Sequence, residues 1–144
     1  MKLFFGSFCG KGGKFIDQYF SRENAVPVVT LMLPFEKIEV RQYIDRLGRS
    51  PFERWFETLD DAVQARIVLA LDRLERGNAT AAKSVGAGVQ ELRLDFGPGY
   101  RIYFGWDGVR LVILLGGGTK RRQQADIAAA HALWREYKQR RREV

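Results

Sequence analysis

Apolar and polar residues alternate through EKIEVRQY, residues 36–43, which predicts a first strand with Ile38 and Val40 on one face. The period then changes. In SPFERWFETLDD, Ser50 is a capping residue, Pro51 falls at the first helical position and Glu53 completes a capping box. Phe52, Trp55, Phe56 and Leu59 follow at i, i+3, i+4 and i+7, a single apolar stripe. Thr58 with Asp61 repeats the capping pattern, and Val63, Ile67, Ala70, Leu71 and Leu74 carry a second stripe as far as Gly77 and Asn78. These residues predict a helical hairpin or one bent helix, with both stripes in the core.

Residues 79–88, ATAAKSVGAG, are small and rich in breakers, and read as a loop. Three strands are expected after it: VQELRLDF, YRIYFGW and VRLVILL. Asp107-Gly108 predicts a two-residue hairpin turn, and Gly97-Pro98-Gly99 the other turn. The third of these strands is an almost unbroken apolar run, as expected of a central strand covered on both faces. QQADIAAAHALWREYKQRR then places Ile127, Ala130, Trp134 and Tyr137 on one helical stripe. The order of strand, helical hairpin, three-strand meander and C-terminal helix predicts an α+β fold, with helices on one side of a small antiparallel sheet.

Residues 1–31 sustain neither period, because glycines interrupt each apolar stretch. They are expected to be a flexible extension or upstream sequence translated ahead of a start at Met32, the second being favoured; residues 32–144 form the predicted domain. Leu3 to Cys9 is broken by Gly6 and Ser7 and fits a secretory signal poorly. No apolar run reaches the roughly 18–20 residues of a membrane span, and neither a membrane partner nor a membrane location is expected.

The predicted turns set a register. A two-residue turn places Trp106 opposite Val109, Phe104 opposite Leu111 and Ile102 opposite Ile113. A three-residue loop at the glycines places Phe96 opposite Tyr100, Leu94 opposite Ile102 and Leu92 opposite Phe104. The other face then carries Glu91, Arg93 and Asp95 beside Gly105, Tyr103 and Arg101, with Lys120 beyond the glycines of GGGTK. Bare glycines would let a ligand backbone approach this face. Each residue also has a plainer reading: Arg101 as the cross-strand partner of Asp95, Tyr103 as an ordinary strand aromatic, and Lys120 to Arg122 as a solvated helix start.

Charge sharpens this picture. Lysine and arginine number 24 against 17 acids, for a net charge of +7, and the KRR and KQRRR clusters favour a polyanionic partner over a merely solvated surface. One cysteine excludes an intrachain disulfide and a cysteine-rich zinc site; one histidine, His131, argues against histidine-centred metal sites and is expected to be structural. No metal or cofactor is expected.

ELRLDFGPGYRIYF, then LVILLGGGTK, then a helix with QQADI and LWREYK, resembles the RelE/ParE superfamily of bacterial type II toxins, nearest to its HigB-like "addiction module killer" branch, from about Glu36 to Arg141. The resemblance implies a cytoplasmic toxin held inactive by a cognate antitoxin, often one with a helix-turn-helix domain. RelE-like members cut mRNA on the ribosome without a metal. The matching positions are Arg93, Arg101 and Lys120 or Arg121; Asp126, Ile127 and Ala128 stand where some members carry a catalytic tyrosine. RNA brings its own nucleophile, the 2′-hydroxyl, so an enzyme needs only to orient it, take its proton and stabilise charge on the phosphate. Arg101 and Lys120 are expected at the phosphate, Arg93 in positioning, and Glu91 ahead of Lys120 as general base. Tyr103, Arg121, Arg122 and Lys83 are expected to contact RNA. Two other classes carry the same fold: a ParE-type toxin that inhibits DNA gyrase by protein contact, and a non-catalytic module that binds antitoxin or nucleic acid.

Overall fold

Ser50 has extended backbone angles, and its hydroxyl accepts from the Glu53 backbone N–H at 3.0 Å, so helix α1 (Pro51–Glu57) begins at the predicted cap. The computed structural model describes residues 37–144, so the expected extension at 1–31 lies outside the described residues. Thr58 does not cap a second helix. It closes α1, its hydroxyl donating to the Trp55 carbonyl, and Asp60 precedes α2 (Asp61–Glu75). The two helices are therefore a hairpin, pinned by a bond from the Gln64 side chain to the Phe56 carbonyl at 2.8 Å.

The remaining elements are β1 (Glu39–Gln42), β2 (Ala82–Ser84), β3 (Val89–Leu94), β4 (Tyr100–Asp107), β5 (Leu111–Thr119), a 3-10 turn (Lys120–Arg122) and α3 (Gln123–Glu143). The fold is α+β, with one five-stranded sheet in the order β1-β5-β4-β3-β2. The meander is antiparallel as expected, but β1 pairs parallel with β5, which makes the sheet mixed. The expected loop at 79–88 contains β2, an edge strand paired with β3. Its sequence Ala-Lys-Ser has little strand propensity, and cross-strand pairing supplies what propensity lacks.

Both predicted registers shift. Asp107 is a strand residue opposite Leu111, not a turn residue, because the Tyr137 hydroxyl donates to its carboxylate at 2.6 Å and Arg141 sits 3.1 Å away. Trp106 therefore meets Val112 and Phe104 meets Leu114, with a bulge between Tyr103 and Phe104. At the other turn Leu94 meets Tyr100, Leu92 meets Ile102 and Glu91 meets Tyr103. Asp95 thus falls in the loop, exposed, and Arg93 rather than Asp95 stands opposite Arg101.

Helices cover both faces of the sheet, not one. Against α1 and α2 lie Val40, Leu92, Leu94, Ile102, Phe104, Val112 and Leu114, together with Phe52, Phe56, Ile67, Leu71 and Leu74. Against α3 lies a smaller cluster of Tyr43, Val89, Tyr103, Ile113 and Leu115 with Ala130 and Trp134. β5 has neighbours on both sides, and its apolar run divides between the two clusters, as expected of an inner strand.

Candidate functional site

Strand alternation sends Glu91 and Arg93 of β3, and Arg101 and Tyr103 of β4, out on the face that α3 covers. Arg93 and Arg101 are direct cross-strand partners, an arrangement that repulsion would oppose without an anion between them. Glu91, fully buried, is that anion. Its Oε1 accepts from Arg93 Nε at 2.9 Å, while Oε2 accepts from Tyr103 Oη at 3.2 Å and from Gln123 Nε2 at 2.8 Å, with Arg101 Nε 3.9 Å away. Burial alone would raise the carboxyl's pKa. The bonds from Arg93, Gln123 and Tyr103 and the charge of Arg101 outweigh it and hold Glu91 below the usual carboxylate range.

This geometry corrects two expectations. Glu91 is not placed as a general base: it has no exposed surface, and its oxygens accept from Arg93, Tyr103 and Gln123, with the Arg101 charge close by. It positions the others instead, tying α3 to β3 through Gln123. Tyr103 is 1% exposed and cannot offer its ring to a base; burial first, and then the Glu91 charge, raise its hydroxyl pKa well above that of a free tyrosine.

Arg101 is also nearly covered, at 6% exposure, where direct phosphate contact was expected. Its guanidinium donates to the Gly99 carbonyl at 3.0 Å, and the Lys120 backbone N–H donates to the same carbonyl at 2.9 Å. Gly99 has φ +78°, a conformation glycine adopts without strain, and this aims its carbonyl at both residues. Arg101 thus anchors the turn that displays Lys120, Arg121 and Arg122, all exposed around an open depression that runs to Ala125. Arg93, its side chain 38% exposed, stands on the same face. Lys83, exposed on the edge strand, pairs in register with Glu91 and leaves by that face too.

Of the three glycines of GGGTK, Gly116, the partner of Tyr103, leaves open space above it, but the other two do not. A Cβ at Gly117 would collide with the Trp55 ring, and one at Gly118 with the Asp126 carboxylate, so each makes room for a side chain of the protein itself. Asp126 and Gln123 are the two site residues that the sequence reading missed. Both lie on the sheet-facing stripe of α3, and extending that stripe back from Trp134 by eight and eleven residues reaches them. Asp126 Oδ2 is buried without a hydrogen-bond partner, and burial raises the carboxyl's pKa against the opposing charge of Arg122. His131 has a structural contact, its Nε2 2.9 Å from the Val85 carbonyl.

Among the described residues, no group of three or more His, Cys, Asp or Glu side chains gathers to hold a metal ion, and no helix is long and apolar enough to cross a membrane. The arrangement is a cationic rim, Arg93 included, set on a buried Glu91–Arg101 pair. It fits a phosphate-bearing or carboxylate-bearing partner.

The chain is 42% identical over 86 residues to an uncharacterized protein of Haemophilus influenzae, a match covering 59% of this chain and 87% of that one. Residues 54–137, from α1 to the second half of α3, match the family described as phage derived protein Gp49-like (DUF891). That span is more than half of the chain and includes Glu91, Arg93, Arg101, Lys120 and Asp126, and the chain belongs to the Gp49-like family.

Proposed function

We propose that this protein is the toxin of a type II toxin–antitoxin pair, acting in the cytoplasm, and that it stops translation by cutting mRNA on the ribosome. One observation carries the reading: Lys120, Arg121 and Arg122 are exposed in succession on a turn anchored by Arg101 and Gly99, and Arg93 stands opposite Arg101 on the neighbouring strand. The likeness to RelE/ParE toxins and membership of the Gp49-like family support the toxin and its antitoxin partner, of helix-turn-helix type. Here Arg93 and Lys120 stabilise the charge that builds on the non-bridging phosphate oxygens as the 2′-oxygen bonds to phosphorus and the 5′-oxygen leaves, giving a 2′,3′-cyclic phosphate while water carries the proton of the 2′-hydroxyl to the departing 5′-oxygen; Arg121 and Arg122 hold the flanking backbone. Arg101 and Glu91 act behind them by fixing their positions.

Expression of the full chain is expected to arrest growth with cleaved messages, and Lys120→Ala with Arg121→Ala, both exposed, to relieve the arrest while the protein keeps its melting temperature. The burial of Glu91, Arg101 and Tyr103 favours one second reading, a toxin that works by protein contact alone, as ParE types do on gyrase. Arrest with DNA damage and intact messages would select it and remove the ribonuclease.

A further inference from the structure

Behind the sheet, on the side away from α3, a groove of about 420 Å³ runs between α2 and the C-terminal end of β3. Arg66, Leu69 and Arg73 line one wall at i, i+3 and i+7, with Ala70 at the margin of the core stripe beside them, so α2 carries a second, outward stripe next to the one it buries. Leu69 is 46% exposed, and Phe96 forms part of the opposite wall. The Arg66 guanidinium lies 4.6 Å from the centroid of the Phe96 ring, which holds it over the groove. The side chains of Arg66 and Arg73 form no ion pair or hydrogen bond with another described residue, whereas Arg76 on the same helix is paired with Asp72 at 3.0 Å.

Asp95 also lines the groove but pairs with neither arginine, so an apolar strip between two unpaired guanidinium groups specifies the chemistry of what covers it. We propose that this groove docks an acidic amphipathic helix of the antitoxin, an assignment that rests on the toxin–antitoxin reading above. Arg66 and Arg73 are two helical turns apart, about 10.5 Å along the axis. The fitting helix therefore carries acids seven residues apart, with two apolar side chains between them to cover Leu69 and Ala70. The arginines supply register and the apolar pair supplies buried area. Arg93 contributes its backbone here while its side chain leaves by the opposite face, so the docking surface and the cationic rim share a strand without sharing functional groups.

The test measures binding of the full chain to two purified ligands: the product of the reading frame adjacent to its gene, and a single-stranded RNA oligonucleotide. Leu69→Asp, and separately Arg66→Glu with Arg73→Glu, are expected to weaken the protein complex at least about tenfold. Both variants keep the parent's melting temperature and RNA affinity, and in cells they arrest growth yet escape neutralisation. An unchanged protein complex overturns the groove assignment alone. Loss of RNA affinity with the protein complex intact overturns it in favour of nucleic acid. If the adjacent product fails to bind the unaltered chain, the antitoxin reading falls and the groove assignment falls with it.

Discussion

Against one face of the sheet, α1 and α2 bury an apolar layer in which Phe52, Ile67, Leu74, Ile102, Phe104, Val112 and Leu114 are wholly covered. Against the other, α3 buries a smaller apolar cluster together with a glutamate, an arginine and a tyrosine hydroxyl. Tyr43 Oη, Arg101 Nε, Asp126 Oδ2 and Arg140 Nε are buried on that second side without hydrogen-bond partners. Unsatisfied buried groups cost stability, so these four do not strengthen the fold. The difference separates two tasks. The α1–α2 face holds the chain folded, and the α3 face carries charge to where the turn at Lys120–Arg122 can display it.

The largest expected effect tests the first half of that comparison. Phe56, 1% exposed, stacks on Phe52 at a centroid distance of 5.9 Å, and Phe56→Ala is expected to cost about 3–5 kcal/mol. Urea unfolding checks it through a lower midpoint at unchanged slope. A loss below that of any α3-side substitution would contradict the division of labour.

Glu91→Gln probes the second half, with a smaller cost and a distinctive dependence on pH. The amide keeps the shape but leaves Arg101 buried beside a neutral group, for an expected loss of about 2–3 kcal/mol near neutrality. Because the folded carboxyl sits below its unfolded pKa of about 4.3, its contribution is complete above that pH and disappears as pH falls through the folded value. The melting curves of parent and variant should therefore converge in acid. A gap that stays constant with pH would mean that shape, not charge, holds the network.

Much of this was legible in the chain, for physical reasons that can be named. The cap at Ser50, the stripes of α1 and α3 and the inner position of β5 are local patterns, set by periods of 3.6 or by unbroken apolar runs. Alternation likewise put Glu91, Arg93, Arg101 and Tyr103 on one face, which no change of register by two residues can alter. What went astray depended on distant partners. Tyr137 and Arg141 draw Asp107 into the strand and lengthen the turn; β3 makes a strand of Ala82–Ser84; and α3, lying across the polar face, turns expected contact residues into buried supports. The meaning of Gly117 and Gly118 was hidden for the same reason, because Trp55 and Asp126 reach them from other elements.

Asp126 gives the smallest and most diagnostic effect, since its sign is opposite to that of Glu91. Its carboxyl is raised by burial, with Arg122 opposing, and Oδ2 has no hydrogen-bond partner. A group whose folded pKa lies above the unfolded value, about 3.9 for Asp, contributes stability below that value and loses it as pH rises through the folded pKa. At neutral pH the ionised carboxylate is therefore a liability that the near-isosteric Asp126→Asn removes. We expect a gain of under about 1 kcal/mol, a few degrees in Tm, at pH 7, fading to nothing below about pH 3.5. Thermal melts across that range check it. A destabilised Asp126→Asn at pH 7 would show that the carboxylate has found a compensating partner in solution, and the contrast between a satisfied face and a strained one would narrow to Arg101 and the Tyr43–Arg140 contact at the far end of α3.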